Sequence, residues 1–249
     1  MLLRDFDNYF RNILDMNSFK NIDVALNGLQ VTRVEQEITR VAFAVDAALT
    51  TIEQAAQQKA DMLFVHHGIF WGSVEAMIGG LYTRIAALIK HDIALYACHL
   101  PLDAHPVYGN NTCLAHAMGL SDVVPFGCYR GKKIGIKGVF APARARDSVV
   151  NFFSSPLAVL PFGGEKIKTV AIISGGAPFE VRQAIEEHID LYVTGDASHS
   201  VYHQCREAEI NMISAGHYAT ETWGVRSLKN LLEQEKNIEC TFIDAPTAL

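Results

Sequence analysis

The sequence predicts an α/β protein, and three observations carry that expectation. Short β-branched or aromatic runs alternate with amphipathic stretches along most of its 249 residues. Several of those runs, Met62–Val65 and Ile93–Cys98 among them, are apolar throughout rather than alternating, as strands covered on both faces are. Gly, Pro, Asn and Asp punctuate the gaps between runs, where turns need them.

Taken in order, strands are expected near 41–45, 61–65, 93–98, 134–140, 168–173, 191–194, 210–214 and 239–243. Helices are expected near 3–17, 47–59, 79–90, 110–118, 145–154, 178–188, 199–208 and 221–234, where apolar residues recur at three- and four-residue spacing. The stretch SDVVPFGCYRGKK at 121–133, with Pro125, Gly127 and Gly131, reads as a loop-rich break. It divides the chain into an N-terminal domain, 1–125 plus 222–249, and a second domain, 126–221. Each is large enough for its own core.

Composition narrows the function. Hydrophobic residues make up 49% of the chain and charged residues only 19%, which excludes a disordered protein. The 21 Lys+Arg against 27 Asp+Glu give a net charge of −6, the wrong sign for a dedicated nucleic-acid binder. No apolar run approaches the roughly 18 residues that span a bilayer. The opening MLLRDFDNYF places charges where a signal peptide needs an apolar segment, so a cytoplasmic protein is expected. Five scattered cysteines, Cys98, Cys113, Cys128, Cys205 and Cys240, form no C-x-x-C pair and read as reduced thiols.

The informative residues are polar ones at the ends of apolar runs. MLFV ends in His66-His67-Gly68, and IALYAC ends in His99, with Asp103 four residues on. LYV leads to Thr194-Gly195-Asp196, and NMIS leads to Ala215-Gly216-His217. Open α/β sheets bind ligands outside the carboxyl ends of their strands, so four such ends suggest one convergent site. Adjacent strand residues face opposite ways, so His66 and His67 serve one site only where the strand gives way to a turn at Gly68. The plainer alternative is one buried histidine with an exposed neighbour. His217 and Glu221, four apart, share a helix face and can present an imidazole with a carboxylate; alone, that spacing is equally a surface pair. Asp103 is also a good turn residue. Together the three histidines and two carboxylates suit more than one divalent ion of zinc, manganese, iron or nickel, and none of the cysteines has the spacing of an enclosed structural zinc site. Two such ions close together stabilise the charge that develops during hydrolysis.

These residues also resemble a known family. Asn27-Gly28-Leu29-Gln30-Val31, Val65-His66-His67-Gly68, His99-Leu100-Pro101-Leu102-Asp103-Ala104-His105-Pro106, Gly109-Asn110-Asn111, Thr194-Gly195-Asp196 and Gly216-His217-Tyr218-Ala219-Thr220-Glu221 match the motifs of the Nif-three-like dinuclear-metal proteins. Their bacterial members are often labelled GTP cyclohydrolase 1 type 2 homologues. The resemblance implies two related α/β domains with sheets flanked by helices. It implies a pair of divalent metal ions held by His66, His67, Asp103, His217 and Glu221, and a ring-shaped hexamer. Longer relatives carry an inserted middle domain, for which the 134–168 region here is too short, so the compact bacterial form is expected. Many relatives have Glu at the position of Asp196 and an acidic residue at that of His199. Both residues are candidates for moving protons, although His199 also reads as a phosphate-binding group and, more commonly for such a residue, as a surface residue paired with His203.

Weaker signals are Ser174-Gly175-Gly176-Ala177, an anion cradle or a plain strand-to-helix turn, and Phe70, Trp71 and Tyr108, which stack a base or pack a core. The leading expectation is a metal-dependent hydrolase acting on a nucleotide-like small molecule, GTP being the substrate the family label names. A non-catalytic metal-binding scaffold is the alternative, and a ring encircling nucleic acid is a third that the charge disfavours.

Overall fold

The computed structural model describes residues 1–249. In chain order its first elements are α1 (Leu3–Ile13), β1 (Gly28–Val31), β2 (Arg40–Asp46), α2 (Leu49–Gln57), β3 (Met62–His67), α3 (Gly79–Lys90), β4 (Ala94–Ala97) and α4 (Leu100–Asp103). There follow α5 (Asn110–Met118), β5 (Ser121–Tyr129), β6 (Lys132–Ala145), α6 (Arg146–Val150), β7 (Ala158–Pro161), β8 (Lys166–Ile173) and α7 (Val181–Glu186). The last are β9 (Leu191–Thr194), α8 (Tyr202–Glu207), β10 (Asn211–Ser214), α9 (His217–Lys236) and β11 (Glu239–Phe242). Two compact units result: Met1–Leu102 with Val225–Ala245, and Asp103–Gly224 with Pro246–Leu249.

In the first unit a five-stranded sheet runs β1-β4-β3-β2-β11, with only β1 antiparallel to its neighbour. Because side chains alternate across a strand, its apolar runs feed two cores. Phe43, Phe64 and Tyr96 stand opposite one another in register, their rings 5.2 and 5.3 Å apart, and meet Phe6 and Phe10 of α1. The alternate residues Ala42, Leu63, Val65 and Leu95 pack with Ile52 and Ala55 of α2 and Leu81, Ile85 and Leu88 of α3. The end of α9 returns to α1, where Tyr9 donates to Glu235 at 2.7 Å and Lys236 lies over its ring.

In the second unit the order is β5-β6-β8-β9-β10-β7, parallel only at β8-β9-β10. Leu114, Ala115 and Met118 of α5 pack on Ile136, Val170, Ile172, Leu191, Val193 and Ile213. The division of the chain therefore differs from the expected one. Residues 121–133 are a β5–β6 hairpin, with Arg130 (φ 46°) and Gly131 (φ 85°) forming its two-residue turn. The 103–125 segment goes with the second unit because α5 completes that core.

No helix of the protein is long and apolar enough to cross a membrane. None of the five cysteines is in a disulfide. Burial pushes the Cys205 thiol up to about 11 and that of Cys240 to about 12, so neither offers a thiolate at neutral pH. Mild alkylation of the native protein is expected to modify Cys128 and Cys113, the only cysteines not buried, and to leave any bound metal in place. Mass spectrometry paired with metal analysis checks this; stoichiometric metal release on alkylation would place a thiolate among the ligands.

Candidate functional site

In the first unit the polar residues gather where β2, β3 and β4 end. His67 is the register partner of Asp46, and its Nδ1 lies 2.8 Å from Asp46 Oδ1. His66, fully buried, places Nδ1 2.9 Å from the carbonyl oxygen of Cys98 on the neighbouring chain segment. His99, just past β4, places Nδ1 2.9 Å from Asp23 Oδ1. The three rings lie 4.6 to 5.7 Å apart between centroids. His66 and His67 are the last two residues of β3, so the strand end does turn both imidazoles into one cluster. One ligand atom from each of His66, His67 and His99 falls within a common 4.8 Å.

A carbonyl oxygen only accepts, and so does a carboxylate, so each Nδ1 carries the proton and donates it. In a neutral ring so tethered, the lone pair is on Nε2. This arrangement, one ring nitrogen tethered and the other presented, is how proteins orient metal-binding histidines.

The second unit carries the other residues, again at the ends of strands. Asp196 follows β9 and its Oδ1 lies 2.9 Å from His217 Nδ1, the fourth imidazole tethered in this way. His217 opens α9, and four residues along that helix Glu221 places Oε2 3.2 Å from His217 Nε2. Glu221 and Asp103 are 2% and 5% exposed, and their carboxylate oxygens lie within 4.8 Å of each other. Asp103 accepts from Asn110 Nδ2 and from Ser174 Oγ, both at 2.9 Å. Two buried carboxylates so close repel unless a cation offsets them, and buried charges are characteristically paired or metal-bound. The donor set therefore fits divalent metal.

Glu221 is the main cause of a raised His217 pKa of about 9, with Asp196 adding to it and burial opposing it. With metal stripped, the protonated ring stabilises the fold fully below about pH 6.5, and that stability is lost as pH rises through 9. Denaturation midpoints of the chelated protein across pH 6–10 should fall accordingly, and Glu221→Gln should flatten the slope. An unchanged slope in the variant would remove Glu221 as the cause.

The Ser174–Ala177 segment is a structural turn. Gly175 (φ +65°) accepts from Gly195 N and Asp196 N through its carbonyl and donates to Thr220 Oγ1 at 3.0 Å. A Cβ there would collide with the Glu221 carboxylate. His199 is exposed on the one-turn segment His199–Val201 and lines a cavity of about 260 Å³ with Ser198, Tyr202 and Ser214. Trp71 has its ring 5.1 Å from that of His99 and 5.8 Å from that of His67, whereas Phe70 packs on the core and Tyr108 stacks on His105. Sequence reasoning left His99 outside the ligand set and overlooked Asp23 and Asp46, although His99 ends an apolar run as visibly as His67 does.

Two α/β units with histidines and carboxylates gathered at strand ends define a class of candidate metal-binding α/β proteins. The chain belongs to the Duf34/NIF3 (NGG1p interacting factor 3) family, whose pattern matches residues 1–248. It is 41% identical to a Treponema pallidum protein and 39% identical to one from Archaeoglobus fulgidus, both named GTP cyclohydrolase 1 type 2 homolog, in each case over all of both chains. Among solved structures it resembles protein ybgI, of unknown function, with a TM-score of 0.93 at 29% identity. It also resembles TTHA1606 from Thermus thermophilus, with a TM-score of 0.91 at 36% identity; both matches cover all of both chains.

Proposed function

We propose that this protein is a metal-dependent hydrolase acting on a nucleotide or a related small molecule. The observation that carries the reading is the shared tethering of four imidazoles, each with Nδ1 given to an acceptor. Histidines kept for packing need no such common orientation. In this reading His66, His67, Asp103, His217 and Glu221 hold two divalent ions of zinc, manganese, iron or nickel. Bound ions supply Lewis acidity and offset the negative charge that develops as water attacks.

The chain's own residues do the positioning. Asp46 and the Cys98 carbonyl fix His67 and His66, and Asp196 fixes His217. Asp196 thus acts through His217 as a positioning residue. His199 faces the cavity it shares with Ser198, Tyr202 and Ser214 and is the group assigned to substrate contact. The relatives' name makes GTP the first substrate to test, by hydrolytic opening of its guanine imidazole ring with release of formate.

Purified protein should carry about two divalent ions per chain and turn over a member of a nucleotide panel supplied with defined metals. A His66→Ala variant should lose that turnover. Metal binding without turnover of any nucleotide would favour a non-catalytic scaffold. That second reading has one observation in its favour: Ile78, just before α3, and Tyr82 and Ile89 on it are 74%, 62% and 66% exposed, apolar surface suited to assembly into a hexamer.

A further inference from the structure

The geometry points to His99 as a metal ligand in its own right, completing a three-imidazole set with His66 and His67 that lies wholly within the first unit. The inference rests on the reading that the chain binds divalent metal, and it adds a ligand to the five expected.

His99 is held more firmly than a packing histidine requires. Its ring is tied to Asp23 at 2.9 Å, and its backbone N–H donates to Asn27 Oδ1 at 2.7 Å. The Asp23 side chain is 1% exposed and accepts four hydrogen bonds: from His99 Nδ1, Ala25 N at 2.9 Å, Asn27 Nδ2 at 2.8 Å and Leu100 N at 3.0 Å. A buried carboxylate behind an imidazole fixes the tautomer and makes the opposite nitrogen a better ligand.

One ring nitrogen from each of His66, His67 and His99 lies within 4.8 Å of the other two, which is the grouping that one cation draws on. An all-imidazole face selects zinc, cobalt, nickel or copper over magnesium or calcium. The Asn27-Gly28 segment supports this arrangement from behind. Asn27 ties both Asp23 and the backbone of His99, and Gly28 (φ +104°) turns the chain from there into β1.

The test is titration of the full-length protein with Co²⁺ alone, read by visible absorption and by metal analysis. A His217→Ala/Glu221→Gln double variant should retain about one Co²⁺, because the first unit's imidazoles remain. Adding His99→Ala should abolish that binding. In the otherwise unaltered chain, His99→Ala should change the Co²⁺ spectrum and weaken one site by at least about tenfold. Asp23→Asn, which keeps the volume and the imidazole, should weaken it by roughly 10–100-fold, the range for losing an outer-shell partner. Circular dichroism of each variant confirms folding, and the Asp23 variant decides the matter if His99→Ala does not fold. If affinity and spectrum are unmoved by both substitutions while the parent binds Co²⁺, the assignment of His99 is overturned and the metal reading stands. A parent chain that binds no Co²⁺ overturns both.

Discussion

Glu221→Gln is expected to keep the fold, lose at least one bound divalent ion and lose any hydrolytic activity. The substitution is nearly isosteric, so the 2%-exposed side chain leaves no cavity. What it removes is charge, from a carboxylate within 4.8 Å of the Asp103 carboxylate and 3.2 Å from His217 Nε2. Metal present at about 100 times its dissociation constant stabilises a protein by roughly 2.7 kcal/mol through mass action. In a chain of this size that corresponds to a melting shift of about 5–10 °C. Thermal melts with and without added metal should show this shift in the parent chain and little of it in the variant. Retention of two tightly held ions and the full shift would place Glu221 outside the ligand set and return the His217–Glu221 spacing to an ordinary pair on a helix face.

What the sequence concealed has a consistent physical cause. Every interior strand was legible: β2, β3, β4, β9 and β10 are buried along almost all their length and read as continuous apolar runs, and β6 and β8 each hold a buried apolar stretch. The three strands left unread, β1, β5 and β7, all lie at sheet edges. β5 tolerates Pro125 because an edge strand has one side with no ladder to complete, and the same Pro-Gly chemistry made it read as a loop. The boundary expected at 125 came from reading that strand as a loop. β1 and β7 have only four residues each and, unlike the equally short β4, β9 and β10, are mostly half-buried, so no continuous apolar run marks them.

The candidate site was legible to the extent that its residues end strands. Chain order supplies the strand ends and helix spacing supplies the His217–Glu221 pair. It does not supply the acceptors behind the rings, because Asp46 meets His67 only through β2–β3 register and Asp23 reaches His99 from a loop 76 residues earlier. Asp196 shows the difference most clearly. Its motif makes it a proton-transfer candidate, and only the fold shows its Oδ1 2.9 Å from His217 Nδ1, 21 residues further along the chain.

Asn111→Ala is expected to have the largest effect on stability of any substitution considered, and to act at a residue that does no chemistry. Asn111 is fully buried at the start of α5. Its Nδ2 donates to the backbone carbonyls of Asp103 at 3.1 Å and Ile134 at 2.9 Å, and its Oδ1 accepts from Ser174 N at 2.7 Å. One side chain thereby joins the end of α4, strand β6 and the turn after β8 within the second unit. Alanine would strand three buried backbone groups and leave a void. Each stranded group costs roughly 1–3 kcal/mol, less for a carbonyl with a second lone pair to use, so a loss of about 4 kcal/mol is expected. Against a total stability on the order of 5–15 kcal/mol, that leaves little margin. Asn111→Asp should be no milder, because it turns an acceptor oxygen toward the two carbonyls that Nδ2 now serves. Asn230→Ala, exposed on α9, should stay within about 0.5 kcal/mol and is the control. Chemical denaturation of the three variants checks the ordering. Asn110 differs from its neighbour: its Nδ2 holds the Asp103 carboxylate at 2.9 Å while its Oδ1 accepts from Gly224 N at 2.6 Å. Asn110→Ala should therefore impair metal binding as well as stability, because it frees the carboxylate itself. If Asn111→Ala unfolds no more readily than the Asn230 control, the paired asparagines are not what ties Asp103 to its sheet.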